Sequence, residues 1–359
     1  MTSLDKVVAK VSGGERIDAA EALILWREAP LWHLAELAVE LKRRKSGDKV
    51  FYNRNFHIEP SNVCIFDCKF CSYRRRRGEE GSWDYSMDEI LRDVESRRNS
   101  GATEIHIVGG VHPDRDIYYY ADMIRNIARI MPDVCIKAFT AAELHHMICK
   151  AGLSLEEGLS LLKEAGMESI PGGGAEIFDE VLRQRICPKK CTAEEWLALH
   201  GAAHRLGISS NATMLYGHIE QVEHRIDHLL RLRHQQDLSG GFNAFIPLKY
   251  RSRHNEMSSI GETSVTDDLR TLAMSRIILD NIPHIKAYWV MYGKQVAELA
   301  LAFGADDVDG TIDDSTKIYS MAGAADVRPM ITIAEIEQMC CTAGFRAVER
   351  DTHYNEIKR

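Results

Sequence analysis

No apolar run in this chain reaches the length needed to span a bilayer, so a membrane-crossing helix and a membrane partner are not expected. The start, Met1-Thr2-Ser3-Leu4-Asp5-Lys6, lacks a charged region followed by an apolar core, which leaves no export signal and points to a cytoplasmic protein. Positive charge is not in excess either: 45 Lys and Arg face 53 Asp and Glu, a net charge of −8. That balance argues against nucleic acid as the main partner, because phosphate binding draws on surplus Lys and Arg. No stretch rich in Pro, Gly or Ser divides the chain, and no low-complexity tract interrupts it. Nine cysteines, an odd number with no secretory signal, do not suit a disulfide framework and fit a reducing compartment.

What is present is the composition of a soluble globular protein, 45% hydrophobic and 27% charged. Leu34, Leu37, Ala38 and Leu41 form one helical stripe, followed by basic residues 42–45 and a stop at Gly47. From about Arg54, short apolar runs alternate with helical stretches. Strands are expected to start near Asn55, Glu104, Val134, Glu168, Ile208, Phe242, Ile285 and Asp306. Ser86-x-x-Glu89, Ser154-x-x-Glu157, Thr192-x-x-Glu195 and Thr332-x-x-Glu335 read as capping boxes at helix starts. Gly101, Gly166, Gly207, Gly304 and Gly344 stand where left-handed helix ends are expected.

Eight strands alternating with helices predict an α/β fold, a parallel (β/α) TIM-type barrel, full or nearly full. The barrel is expected over 51–315, with an N-terminal helical extension over 1–50 and a C-terminal helical extension over 316–359. An open doubly wound sheet is the runner-up. Ile105-His106-Ile107-Val108 runs into Gly109-Gly110 with no x-Gly-x-x-Gly continuation, so the Rossmann fingerprint is absent. Chemistry in such barrels sits at the C-terminal ends of the strands.

Three cysteines fall in one short window after the first strand, Cys64-Ile-Phe-Asp-Cys68-Lys-Phe-Cys71. Chance placement of nine cysteines yields roughly 0.006 such patterns in a chain of this length. A 4Fe–4S cluster wants four thiolates, and three would leave one iron open to another ligand. A zinc site needs a fourth ligand, for which the preceding His57 is the nearest histidine and a strained one. The run Arg74-Arg75-Arg76-Arg77 directly follows, either a solvated loop face or a docking point for an acidic electron donor.

Other candidates lie at strand ends. Gly109-Gly110 is a tight turn or a place of close backbone approach. In Ser169-Ile170-Pro171-Gly172-Gly173-Gly174-Ala175-Glu176, Glu176 is either an acid favoured by a helix start or a partner for ribose hydroxyls or an ammonium. Thr140 and Asn211 are further candidates. Among loop histidines, His112 and His218 rank above His145 and His146 because each closes a strand. Lys249, Arg251 and Arg253 could meet an anionic substrate. Cys187 and Cys191 lack a third ligand, and one of Cys340 and Cys341 is expected to pack inward.

The cysteine spacing, with Phe70 before the last thiol, resembles the signature of the radical S-adenosylmethionine (SAM) enzymes. Asn62-Val63-Cys64, Gly109-Gly110-Val111-His112-Pro113-Asp114, Ile136-Lys137-Ala138-Phe139-Thr140-Ala141 and Pro171-Gly172-Gly173-Gly174-Ala175-Glu176 resemble their futalosine-pathway branch, which serves menaquinone biosynthesis. The resemblance implies a 4Fe–4S cluster on Cys64, Cys68 and Cys71, with SAM on the open iron. It implies that Gly109 and Gly110 meet the SAM ammonium, Phe70 packs near adenine, and Glu176, Thr140 and Asn211 line the cofactor. It further implies addition of the deoxyadenosyl radical to 3-[(1-carboxyvinyl)oxy]benzoate, rearrangement and loss of carbon dioxide, giving 6-amino-6-deoxyfutalosine. His112, His218 and Lys249 are the expected substrate residues, and a flavodoxin or ferredoxin the expected reductant. A related cyclase or deazaflavin synthase is the nearest rival; an electron-carrying iron–sulfur protein and a zinc hydrolase are rivals of another class.

Overall fold

All eight expected strands form, each beginning within one residue of its expected start. The computed structural model describes residues 2–312, 317–323 and 329–359. In chain order the strands are β1 (Lys49–Asn53), β2 (Asn55–Ile58), β3 (Glu104–Ile107), β4 (Cys135–Ala138) and β5 (Met167–Ile170). They continue with β6 (Ser209–Tyr216), β7 (Phe242–Lys249), β8 (His284–Ile285), β9 (Asp307–Gly310) and β10 (Arg346–Glu349). Helices cross over between successive strands from β2 to β9, as parallel pairing requires.

Seven strands make one parallel sheet in the order β2-β3-β4-β5-β6-β7-β8. A second, three-stranded parallel sheet has the order β10-β1-β9. A bridge between Lys286 and Asp307 joins the far edge of the first sheet to β9, and Ala287 N–H donates to Asp307 O at 2.8 Å. Since β1 runs into β2 across Arg54 alone, the two sheets curl into a barrel-like ring. Ile105, Ile107, Ile136, Ala138 and Ile170 are buried, as expected where helices cover a parallel sheet.

The four anticipated capping boxes close as written, and all five glycines named for helix ends take positive φ. Helix Leu31–Ser46 buries Leu34, Leu37 and Ala38 against the barrel. Cys340 packs inward and Cys341 faces solvent.

Two expectations need correction. The N-terminal extension is three helices, Ser3–Ser12, Ala19–Glu28 and Leu31–Ser46, and at Lys49 it passes into β1. The C-terminal extension is not purely helical: after Ile333–Thr342 the chain enters β10, which pairs with β1 in register Lys49↔Arg346 to Tyr52↔Glu349. Arg346-Ala347-Val348-Glu349 has too little apolar pattern to announce a strand, and only its long-range partner makes it one. The expected barrel edge at 315–316 lies outside the described residues.

Candidate active site

The cysteine window leaves the C-terminal end of β2 as a loop held by backbone and by one buried amide. Asn62 donates through Nδ2 to Gly81 O (3.0 Å) and accepts the Trp83 N–H (2.8 Å). Cys64 N–H reaches Arg75 O (3.0 Å), and Ile65 N–H reaches Val111 O (3.0 Å). The end of β3 lies so close that a Cβ on Gly110 would stand 2.4 Å from Val63 O. The glycine pair therefore serves first to seat the cysteine loop on β3.

The four arginines brace this loop from outside. Arg74 pairs with Glu256 (2.9 Å), Arg75 reaches Ser72 O (2.9 Å), and Arg76 reaches Cys64 O (2.6 Å). Arg77 pairs with Asp114. The run is half-buried at Arg74 and Arg75 and solvated at Arg76 and Arg77.

Cys64, Cys68 and Cys71 line one cavity of ≈ 250 Å³ among the strand ends. Phe70, Gly109, Gly110, Thr140, Glu176 and Asn211 line it too, so these nine residues share one space as expected. A wider cleft of ≈ 450 Å³ beside Ile58, Trp83 and Tyr85 holds none of the cysteines. We take the smaller cavity as the site because the thiols, glycines and buried acids converge there.

Three thiols on one wall suit a metal cluster, and an N–H donor and an ammonium beside them work against the burial that favours their protonated form. Cys64 Sγ accepts the Val111 N–H at 3.4 Å. Burial pushes the Cys64 and Cys68 thiols above their usual range, while the Lys190 ammonium works the other way. Lys190 pairs with Glu176 and lies 5.3 Å from the Phe70 ring centre. Burial opposes its charge, but Cys68, Glu176 and Cys187 hold its pKa well above normal.

Thr140 is the N-cap of helix Ala141–Lys150, accepting from Glu143 N–H while Glu143 reaches back to Thr140 N–H (2.8 Å). Glu143 also accepts the Gly109 N–H at 3.0 Å, tying β3 to this helix. Gly172 has φ 87, and a Cβ there would stand 2.0 Å from Asn211 O. The turn after β5 thus folds onto β6 and delivers Glu176, itself at φ 49, to the cavity.

The three expected substrate residues do not line the cavity. His112 Nδ1 accepts the N–H groups of Asp114 and Arg115 (both 3.2 Å) and its Nε2 meets Asp84 (3.1 Å), so both ring nitrogens organise its own loop. His218 accepts the Ile219 N–H (2.7 Å) and faces Leu215 O (3.1 Å), again a turn-forming ring. Lys249 is bound to Thr263 O (2.9 Å) and Asp268 (2.8 Å) behind the sheet. Arg251 reaches Gly323 O (3.0 Å) and Glu262 (3.1 Å). His57 packs with its ring 4.4 Å from His106 and is not on the cavity wall with the cysteines.

Sequence reasoning passed over Glu143, Lys190, His106, Lys137 and Lys286, all of which line the cavity. A signal existed for some. Thr140-x-x-Glu143 is a capping box, and the tripeptide Ile-Lys-Ala occurs at 136–138 and again at 285–287, a lysine between apolar residues each time.

Residues 58–232 match the Radical SAM superfamily, and residues 239–359 match the CofH/MqnC C-terminal region. Aminodeoxyfutalosine synthase of Thermus thermophilus is 43% identical over 98% of this chain and 95% of its own. The chain belongs to the radical SAM superfamily. A second relative, the 5-amino-6-(D-ribitylamino)uracil–L-tyrosine 4-hydroxyphenyl transferase 2 of Methanosarcina acetivorans, is 36% identical over 99% of this chain and 92% of its own. Among solved structures, methylornithine synthase superposes with a TM-score of 0.75 at 16% identity, covering 95% of this chain and 97% of that one, which supports the barrel assignment.

Radical SAM enzymes carry a 4Fe–4S cluster and SAM. The residues here fit that pair: three free thiols share a wall with an N–H donor and an ammonium, and backbone free of side chains borders them.

Proposed function

We propose that this radical SAM enzyme adds the 5′-deoxyadenosyl group to 3-[(1-carboxyvinyl)oxy]benzoate and, with rearrangement and decarboxylation, forms 6-amino-6-deoxyfutalosine for menaquinone biosynthesis. The observation that carries this reading is the 43% identity to an aminodeoxyfutalosine synthase across nearly the whole of both chains. The matched stretch spans the strands that carry the cavity wall as well as the cysteine loop.

In this reading Cys64, Cys68 and Cys71 would hold the cluster, with SAM beside it. Once bound there, the cluster and SAM would together supply the one-electron chemistry that releases the 5′-deoxyadenosyl group. Gly109 and Gly110 offer backbone to the SAM ammonium, and Phe70 offers a face to adenine. Glu176 and Asn211 offer acceptors to the ribose, with Lys190 fixing the Glu176 carboxylate. Enclosure by Phe66, Val108, Ile246 and Leu248 keeps water and stray hydrogen donors from the radical. A flavodoxin or ferredoxin in the cytoplasm supplies the electron.

The test is an anaerobic assay of reconstituted protein with SAM, reductant and the enolpyruvyl benzoate, read by mass spectrometry. The expected product is a nucleoside adduct with carbon dioxide lost. If free 5′-deoxyadenosine is the sole nucleoside formed, the reaction assignment fails while the superfamily assignment stands.

A further inference from the structure

The cavity does not end at the cofactor residues. Below Gly109 the interior of the barrel stays polar, where such barrels are ordinarily filled with branched apolar side chains. His106 on β3 and Lys137 on β4 are register partners, and Lys286 follows β8 on the opposite wall. All three line the cavity. At about 3.3 Å per strand residue, His106 lies about 10 Å beneath Gly109.

Lys137 is held from the side by one acid, and Lys286 by Asp309 and, at 3.9 Å, by Asp307, which Arg350 also pairs. Lys137 Nζ donates to Glu104 at 2.6 Å, and Glu104 is steadied in turn by the Thr352 hydroxyl at 2.7 Å. Lys286 Nζ donates to Asp309 at 2.5 Å. An ammonium carries three donors, so each keeps hydrogens to spare. His106 Nε2 is buried and has no hydrogen-bond partner among the described residues. The rest of the ring is only half-buried and borders the cavity, where a half-turn about its Cβ–Cγ bond presents a nitrogen to a ligand. A floor with surplus donors calls for an acceptor.

We propose that this floor is a carboxylate subsite, in which the His106 imidazole, Lys137 Nζ and Lys286 Nζ hold the acid group of an aryl carboxylate. Resting on the reaction proposed above, the group held is the ring carboxylate of the benzoate. The radical forms beside the cysteine loop, so the enol-ether double bond faces that way, and the ring carboxylate is the acid at the far end. The two lysines are matched by Glu104 and Asp309, so a further carboxylate brings one uncompensated charge. His106 supplies the balance by taking up a proton. Burial first, and then His57 with Lys137 and Lys286, otherwise keep this ring neutral, with Glu104 acting in the opposite sense.

The test compares binding of 3-methoxybenzoate and its uncharged amide to the anaerobic holoenzyme and to its His106→Phe variant, with turnover of the enolpyruvyl benzoate measured alongside. The native enzyme is expected to favour the acid by about 10-fold, the worth of one charge-assisted hydrogen bond. His106→Phe is expected to lose that preference, leave amide binding unchanged, and raise KM about 10-fold. His106→Gln keeps an N–H donor, recovers part of the preference, and stands in if the phenylalanine variant does not fold. Equal loss of acid and amide, or no change in either, overturns the subsite. Should the native enzyme fail to convert the enolpyruvyl benzoate yet show an acid preference that His106→Phe removes, the reaction falls and the subsite stands. Conversion with an unchanged KM in the variant has the opposite meaning.

Discussion

Glu143 takes three hydrogen-bond contacts on one buried carboxyl group, from Gly109 N–H, Thr140 N–H and the Thr140 hydroxyl. Burial nevertheless wins over these and over Lys190, raising its pKa from 4.5 to about 7. A raised value means that the fold prefers the protonated form. Its contribution to stability is complete below pH 4.5 and disappears as pH rises through about 7. Relative to Glu143→Gln, the native protein is expected to lose about 2 kcal/mol between pH 5 and 8, measured by urea denaturation at each pH. Parallel curves for the two proteins would show that the group does not titrate there. Gly110 is a second sharp case. An added Cβ would meet the Val63 carbonyl, which is backbone and cannot swing aside. Gly110→Ala is expected to cost about 3 kcal/mol and to lower iron content after reconstitution, because the displaced segment is the one that carries Cys64.

At the scale of elements, Thr140 separates two roles that one position can play. It starts helix Ala141–Lys150 through a capping box and also borders the cavity. Thr140→Ala is expected to cost about 1 kcal/mol in thermal or chemical unfolding, and Thr140→Ser to cost little, since the cap needs only the hydroxyl. A Thr140→Ser protein with normal stability but weakened SAM binding would show that the methyl group, against Gly173, also matters to the pocket. Caps of this kind were legible in the sequence because they depend on residues three apart. The eight strands of the β2–β9 series were legible for a similar reason, most of them lying in short apolar stretches bounded by local stops, though β9, Asp307–Gly310, is largely acidic. The cysteine loop and the glycine ends were legible as spacing. What escaped were features decided by distant partners: β1 and β10, which make sense only together, and the inward lysines 137 and 286, whose counter-charges come from Glu104 and Asp309. His112, His218 and Lys249 looked like substrate residues because they close strands. A strand end also needs its turn secured, and these side chains spend their polar atoms on that.

At the scale of the whole molecule, the barrel is tied to its C-terminal segment through buried charge. Arg350 donates to Asp307 at 2.7 Å, and Tyr354 donates to the same carboxylate at 2.7 Å. Removing one partner of a buried pair leaves the other uncompensated. Arg350→Met is expected to cost about 3 kcal/mol in denaturant, and Asp307→Asn in the same chain to restore part of it; additive losses would show that the two do not act as a pair. The pairing of β1 with β9 and β10 also bears on how this protein comes into being. During synthesis β1 leaves the ribosome about 250 residues before either neighbour, and at about 5–20 residues per second both of its edges stay bare for tens of seconds. For that interval the nascent chain holds an unfinished ring, open until the lagging strands arrive to seal it.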